Sequence, residues 1–270
     1  MTDPLFDLAG RVAVVTGGLG QLGRQFTATL AERGAHVAIL DQRRDDALLA
    51  RRFGSLPGRV IGIVADLTRR SEVEAALSTV ERELGSPQIL INNAALDSPP
   101  GAPAAENGPF ETYPEESWDQ VMAVNAKGVF LCCQVFGGRM AQLGRGSVIN
   151  VCSIYGLVSP DQRIYAYRAA EGAPFFKPVA YSASKSALLN LTRYLATYWA
   201  PRGVRVNTVT FAGVFNNQDP QFLQGYLPKV PLGRMAREDE YNGAIVFLAS
   251  DASAYMTGSN LVIDGGWTAW

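Results

Sequence analysis

Tyr181 and Lys185, four positions apart in Tyr181-Ser182-Ala183-Ser184-Lys185, offer proton-transfer chemistry without histidine. They open a helical apolar pattern at Ala187, Leu188, Leu191 and Leu195. On a helix, positions four apart share a face, so both side chains point the same way from the first turn. A phenol titrates near ~10 and is a poor acid or base at neutral pH. A neighbouring ammonium favours the phenolate, so Lys185 is expected to lower the pKa of Tyr181 and make it a usable proton donor and acceptor. A Tyr and a Lys at this spacing are also common on plain surface helices. The elements around them decide between the two.

Those elements begin with a continuous apolar run, Arg11–Thr16, read as a buried strand. It runs into Gly17-Gly18-Leu19-Gly20-Gln21-Leu22-Gly23, then a helical segment Phe26–Glu32, then a second strand His36–Leu40 ending at Asp41. Gly18, Gly20 and Gly23 satisfy G-x-G-x-x-G between strand and helix, and Asp41 follows about twenty residues later. Glycines let backbone N–H groups approach a pyrophosphate at a helix N-terminus. A carboxylate at Asp41 can accept from ribose hydroxyls and repels a 2′-phosphate, which favours NAD over NADP. Arg43 and Arg44 stand close enough to weaken that preference.

The alternation continues to the end of the chain. Val60–Ala65 ends at Asp66-Leu67, and Ile89–Ile91 runs into Asn92-Asn93-Ala94-Ala95. A long helix opening at Glu115 or Glu116 carries Asn125 in its middle, a mediocre helix former that implies a local role. Ser147–Val151 leads to Ser153, Gly203–Thr210 leads to Phe211-Ala212-Gly213-Val214, and Asn260–Ile263 is the last strand. Helices are expected over Glu72–Leu84, Tyr181–Ala200 and Glu238–Ser250. The pattern predicts one α/β Rossmann-type doubly wound domain over 1–270, with about seven mostly parallel strands and helices on both faces. Irregular stretches at 96–114, 157–180 and 212–234 are the expected substrate loops. Gly17, Asp41, Asp66, Asn93, Ser153 and Val214 all fall at strand carboxyl ends, where such sheets bind ligands.

Bulk properties exclude other classes. A net charge of −1 gives no electrostatic footprint for nucleic acid. No apolar run reaches the ~20 residues of a membrane span, and Asp3, Pro4 and Asp7 do not belong in a signal peptide. Cys132, Cys133 and Cys152 lie in apolar surroundings and read as buried thiols of a cytoplasmic protein. With His36 as the single histidine, at a strand entry, neither a zinc site nor a Ser-His-Asp hydrolase is expected.

With these residues assembled, the chain resembles the short-chain dehydrogenase/reductase family from Arg11 to Gly266. The matching pieces include Thr16-Gly17, Asp41, Asp66-Leu67, Asn92-Asn93-Ala94, Asn125, Ser153, Tyr181-x-x-x-Lys185, Arg205-Val206-Asn207, Thr257-Gly258 and Asp264-Gly265-Gly266. The resemblance implies Tyr181 as general acid/base, Lys185 lowering its pKa and holding the nicotinamide ribose, Ser153 bonding the substrate oxygen, and Asn125 holding a relay water. It implies Gly17, Gly20, Gln21 and Leu22 along the pyrophosphate, Asp66 and Leu67 beside the adenine, Asn93 and Ala94 by its ribose, and the Val214 backbone at the carboxamide. It also implies a homo-oligomer, dimer or tetramer.

Three departures are visible. Gln21 stands where the family has glycine, a spacing closer to the family's longer, sugar-nucleotide-modifying members. Phe211-Ala212 replaces the usual Pro-Gly. Ser153 and Tyr181 are about twice as far apart as is habitual. The extra residues are rich in aromatics and cations, including Arg163, Tyr165, Tyr167, Arg168, Phe175, Phe176 and Lys177. Long loops in compact domains are commonly functional. Tyr155, Arg163 and Phe176 are the substrate candidates. Ser153-Ile154-Tyr155-Gly156, the insertion and Asn217-Gln218 resemble oxidoreductases of flagellin and surface-sugar modification. The expected reaction is NAD(H)-dependent interconversion of a secondary alcohol and a ketone on a sugar or other polar ring. The alternatives are a 3-oxoacyl thioester, a hydrophobic cyclic alcohol, or a catalytically silent NAD-binding sensor or structural subunit.

Overall fold

A computed structural model of the chain describes residues 3–98, 101, 103–170 and 175–270, so parts of the expected loops at 96–114 and 157–180 lie outside the described residues. The strands are β1 (Val12–Thr16), β2 (His36–Asp41), β3 (Val60–Val64), β4 (Ile89–Asn92), β5 (Gly146–Ser153), β6 (Val204–Phe211) and β7 (Asn260–Ile263). They form one seven-stranded sheet in the order β3-β2-β1-β4-β5-β6-β7. Every pairing is parallel, where a mostly parallel sheet was expected.

Helices cover both faces, which is why the central strands read as unbroken apolar runs. Alternate residues face opposite layers. Val14, Leu90, Val148 and Val206 pack with Phe136, Leu188 and Trp199 on one side. Ala13, Ile89, Ile149 and Val209 pack with Phe26, Leu30, Ile245 and Leu248 on the other. The helices of the first half are α1 (Gln21–Glu32), α2 (Asp46–Phe53), α3 (Arg70–Glu83) and α4 (Glu115–Leu143). Those of the second half are α5 (Ala166–Ala170), α6 (Val179–Trp199), α7 (Pro220–Tyr226) and α8 (Asn242–Ala249).

Four local outcomes differ from the pattern reading. The short α2 is too charged to show a clear apolar stripe, and is set by Asp45, whose carboxylate accepts from the Leu48 N–H at 2.9 Å. The stretch 212–234 contains α7, capped by Asp219 with Pro220 in its first turn. The helix expected from Glu238 starts only at Asn242, because Asp239–Tyr241 form a turn in which the Asn242 N–H bonds the Asp239 carbonyl. Finally, α4 is long and apolar enough to cross a membrane by length and composition, yet 56% of its most apolar window is buried inside the fold. Two π-helical segments interrupt it, Ala123–Gly128 and Cys133–Gly137. Asn125 lies in the first, consistent with the association of such wide turns with functional positions.

The turn after β1 has no room for side chains at two of its glycines. Gly17 has φ 62°, and a Cβ there would meet the Ala94 backbone at 2.8 Å. A Cβ at Gly23 would lie 2.2 Å from the Gly17 carbonyl oxygen, because α1 leaves the turn directly over it. Backbone must move to admit even one methyl. Gly23→Ala is expected to destabilise the protein by about 1–3 kcal/mol in urea unfolding and to weaken NADH binding by fluorescence titration. Wild-type values for both would show that the turn tolerates the displacement.

Candidate active site

Two adjoining cavities open at the carboxyl edge of the sheet. The first, about 710 Å³, is lined by Gly17, Gly20, Gln21, Leu22, Asp41, Arg43, Asp66, Leu67, Asn93 and Ala94, among others. Its floor is the start of α1, where Gly20 is the N-cap and makes no side-chain capping bond, leaving the first-turn N–H groups to a ligand. The Asp41 carboxylate accepts from the Leu19 N–H at 3.1 Å, which fixes it beside the turn. Arg44 is drawn away into an ion pair with Asp46, whereas Arg43 lines the cavity. Asp66 is oriented by Thr68, accepting from its N–H at 2.9 Å and its hydroxyl at 2.7 Å. A glycine cradle that admits no Cβ, an uncapped helix start and a carboxylate at the end of β2 fit a dinucleotide.

Asn93 stitches this cavity shut from below. Its backbone N–H donates to the Thr16 hydroxyl at 2.9 Å, and its amide donates to the carbonyls of Thr16 and Gly17 at 3.0 and 3.2 Å. The Ala94 N–H also donates to the Thr16 hydroxyl, at 3.0 Å.

The second cavity, about 760 Å³, brings Ser153, Tyr181 and Lys185 together. Pro178 starts α6 just before Tyr181, and Lys185 lies one turn on, 3% exposed. The Lys185 ammonium donates to the Val151 carbonyl at 2.8 Å and lies 5.9 Å from the Tyr181 ring centroid. Ser153 ends β5; its hydroxyl accepts from the Tyr155 N–H at 3.2 Å and lines the cavity with the Tyr181 phenol.

The expected lowering of the Tyr181 pKa is not what the protein alone produces. Burial pushes the phenol well above its ordinary value and the Asp97 carboxylate adds to the rise, while the Ser153 hydroxyl opposes it. Lys185 cannot reverse this, because burial has depressed its own pKa to about 8. Desolvation is the largest cause of the shift in each.

Asn125 is fully buried, and its side chain braces the strand-end loop. Its carbonyl oxygen accepts from the Leu96 N–H at 2.7 Å, and its amide donates to the Leu96 carbonyl at 2.8 Å and the Ser184 hydroxyl at 3.0 Å. Both amide donors are therefore engaged by protein, and a water would have to use another group of this residue. Val214 lines the second cavity, with its carbonyl accepting from the Gln218 amide at 2.8 Å. Gln21 lines both cavities, and its amide donates to the Phe215 carbonyl at 3.2 Å. Phe211, where proline is usual, stacks on Tyr241 with centroids 3.9 Å apart.

Of the three substrate candidates, only Tyr155 faces the cavity. Arg163 points to solvent, 86% exposed in its side chain and paired with Asp161 at 2.8 Å. Phe176 lines a separate cavity of about 430 Å³ with Glu106 and Ser182. Their neighbours in sequence, Arg168 and Phe175, take the inward places, with Tyr165, Tyr167 and Lys177. Asp97, Asn216 and Asp219 also line the cavity and were not singled out from sequence. Asp97 follows a strand end by a few residues, which was the available signal. No group of three or more metal-ligating side chains occurs among the described residues. His36 accepts from the Arg59 N–H at 3.1 Å, and the three cysteines are free and buried.

The depressed Lys185 makes a signed prediction. Between about pH 8 and ~10.4 the unfolded lysine holds a proton that the folded one has released, so its contribution to stability rises with pH through that window. Buried cysteines act oppositely, since they stay protonated in the fold. The readout is therefore the difference in Tm between wild type and Lys185→Met, measured without cofactor. Wild type is expected to gain relative to the variant from pH 8 to 10, and a flat difference would contradict the burial of a neutral lysine.

The comparisons agree with this geometry. A family model described as Enoyl-(Acyl carrier protein) reductase matches residues 20–268. The chain is 36% identical to D-threitol dehydrogenase of Mycolicibacterium smegmatis over 97% of this chain and 95% of that protein. It is 31% identical to NAD-dependent glycerol dehydrogenase of Listeria innocua over 98% and 97%. A crystal structure of a gluconate 5-dehydrogenase from Burkholderia cenocepacia, in complex with NADP and tartrate, superposes with a TM-score of 0.85 at 30% identity, covering 99% of this chain and 98% of that one. Parallel sheet, glycine turn and Ser-Tyr-Lys cluster thus coincide with full-length similarity to enzymes of one kind: the chain belongs to the short-chain dehydrogenase/reductase family and is an NAD(P)-dependent oxidoreductase acting on CH–OH groups.

Proposed function

We propose that the protein is an NAD(H)-preferring dehydrogenase interconverting a secondary alcohol and a ketone on a small polyhydroxylated substrate, with Tyr181 as general acid/base. The observation that carries this is the meeting of Ser153, Tyr181 and Lys185 at one end of a cavity where aromatic walls such as Tyr165, Phe175 and Phe222 are interrupted by polar side chains, Asp97, Arg168, Lys177, Asn216, Gln218 and Asp219 among them. A polyol matches such a lining by hydrogen bonds, whereas an acyl chain or a hydrophobic ring leaves buried polar groups unpaired. Relatives named for threitol, glycerol and gluconate share a polyhydroxylated carbon chain as substrate. They lend no support to the narrower likeness to flagellin and surface-sugar modification.

A bound dinucleotide would supply the hydride acceptor or donor. Its adenine half is assigned to the cavity of Asp41, Asp66, Leu67, Asn93 and Ala94, with Gly17, Gly20, Gln21 and Leu22 at the pyrophosphate and Val214 toward the carboxamide. In oxidation, Ser153 orients the substrate hydroxyl and Tyr181 takes its proton as the carbinol carbon loses hydride. Lys185 would hold the ribose of a bound dinucleotide and, while protonated, adds positive potential beside the phenol. Asn125 keeps Leu96 and Ser184 in register with Tyr181.

The preference for NAD rests on Asp41, whose carboxylate is fixed by the Leu19 N–H in the lining of the first cavity and would repel a 2′-phosphate there. The protein is further proposed to be a cytoplasmic dimer or tetramer. Exposed Tyr194 and Tyr198 on α6, with Trp118 and Phe130 on α4, support pairing through these helices.

Two experiments test the reading. Tyr181→Phe should lower kcat on polyols by at least about 100-fold while NADH binding stays near wild type. Persistent turnover would remove Tyr181 from the chemistry, and a wild-type screen active only on acyl thioesters or hydrophobic cyclic alcohols would sink the substrate assignment. Asp41→Ser should raise kcat/KM for NADP by about tenfold or more by removing charge repulsion. An unchanged cofactor ratio would show that Asp41 does not set the preference.

A further inference from the structure

The wall of the second cavity built by the insertion holds more positive charge than a neutral polyol requires. Resting on the dehydrogenase reading above, we propose that the substrate carries a terminal oxyanion, a carboxylate or a phosphate ester, gripped by Arg168 together with Lys177.

The charged side chains lining the cavity are Lys185, Lys177 and Arg168 against Asp97 and Asp219. Lys185 is held by the Val151 carbonyl at the catalytic end. Asp219 caps α7, accepting from the Gln221 N–H at 2.7 Å. Asp97 pairs with Lys177, whose side chain is only 14% exposed while that of Asp97 is 55% exposed. An ammonium has three donors, so the contact with Asp97 leaves Lys177 able to bind a second acceptor. Among the described residues, Arg168 is the uncompensated charge. It is half-buried, and its Nε is shielded from solvent with no hydrogen-bond partner among the described residues. A desolvated guanidinium N–H is unfavourable until an acceptor meets it. Its planar fork matches the two oxygens of a carboxylate or phosphate, with Lys177 as a point charge beside it.

The grip is built into the fold. Gln162 brackets the Lys177 backbone, accepting from its N–H at 2.8 Å and donating to its carbonyl at 3.5 Å. Tyr165 packs on Phe175 and Phe222 with centroids 4.8 and 5.7 Å apart. Arg168 stands three residues after Tyr165 on the same short helical run, and positions three apart share a face. The Lys177 ammonium lies 5.3 Å from the Tyr181 ring centroid, so an oxyanion bound there sits within a few carbons of the reacting carbinol. The chemistry described is that of a short polyhydroxy acid or its phosphorylated counterpart.

The test uses the enzyme saturated with NAD and three matched four-carbon compounds: a polyol, the acid with one terminal carboxylate, and the polyol with one terminal phosphate. One of the two anions is expected to exceed the polyol in kcat/KM by about 30-fold or more, and which one does so distinguishes carboxylate from phosphate. Arg168→Met should reduce the anion-to-polyol ratio by at least about tenfold, mostly through KM, and Arg168→Lys should restore part of it. NADH binding, followed by fluorescence in each variant, reports an intact fold. Turnover of the neutral polyol equal to or better than both anions, or a ratio undiminished in Arg168→Met, overturns the oxyanion site and leaves the dehydrogenase reading standing. Failure of all three compounds brings down both.

Discussion

The seam between β1 and β4 is the constraint on which the site depends. It is where the strand order changes direction, with β2 and β3 to one side of β1 and the later strands to the other. A parallel sheet opens a crevice at such a point. Here one threonine hydroxyl and one asparagine side chain close the base of the crevice, through the bonds that Asn93 and Ala94 make to Thr16 and Gly17. Each such bond contributes about 1 kcal/mol to stability. Their larger effect is positional, since they lock the glycine turn to the end of β4 and hence to the loop carrying Leu96 and Asp97. Asn125 then fastens Leu96 to Ser184, one position before Lys185. Two sets of hydrogen bonds, joined by the backbone from Ala94 to Leu96, link the two cavities.

The catalytic pair works against its surroundings. The sheet and α6 bury Tyr181 and Lys185 so deeply that the phenol is held protonated and the lysine is pushed toward neutrality. The same burial excludes water, which strengthens every charge subsequently placed there. Asp97 adds to the difficulty by disfavouring the phenolate, and Lys177 partly cancels Asp97 by pairing with it. The acidity of Tyr181 is therefore a property of the whole cavity and of what binds in it, and not of the four-residue spacing that first marks it.

Much of the fold was legible because burial on both faces leaves continuous apolar strands, as at Val12–Val15, and because the glycine turn has a sequence form. The placing of Asp41, Asn93 and Ser153 along one edge followed from strand ends alone, and Tyr181 came from the helical spacing of α6. What could not be read was which way the insertion faces. Arg163 and Arg168, like Phe176 and Phe175, are chemically equivalent choices. The inward one is selected by tertiary anchors: Asp161 holds Arg163 outside, and the Asn107 carbonyl takes the Phe176 N–H. The direction of the Tyr181 shift was equally out of reach, since desolvation depends on neighbours contributed by β5 and the insertion.

Among the described residues, the two cavities share only Gln21, Leu22, Asn93 and Ala95 in their linings. The walls of the first come from the end of β2, the start of α1 and the turns that follow β1, β2, β3 and β4, and about half of the second comes from the 157–180 and 212–234 stretches. Selection can therefore remodel one with little disturbance of the other. Inherited nucleotide recognition and newly acquired substrate recognition occupy different lengths of chain, which makes the scaffold easy to retarget and makes similarity in its first half a poor guide to what its second half has learned to hold.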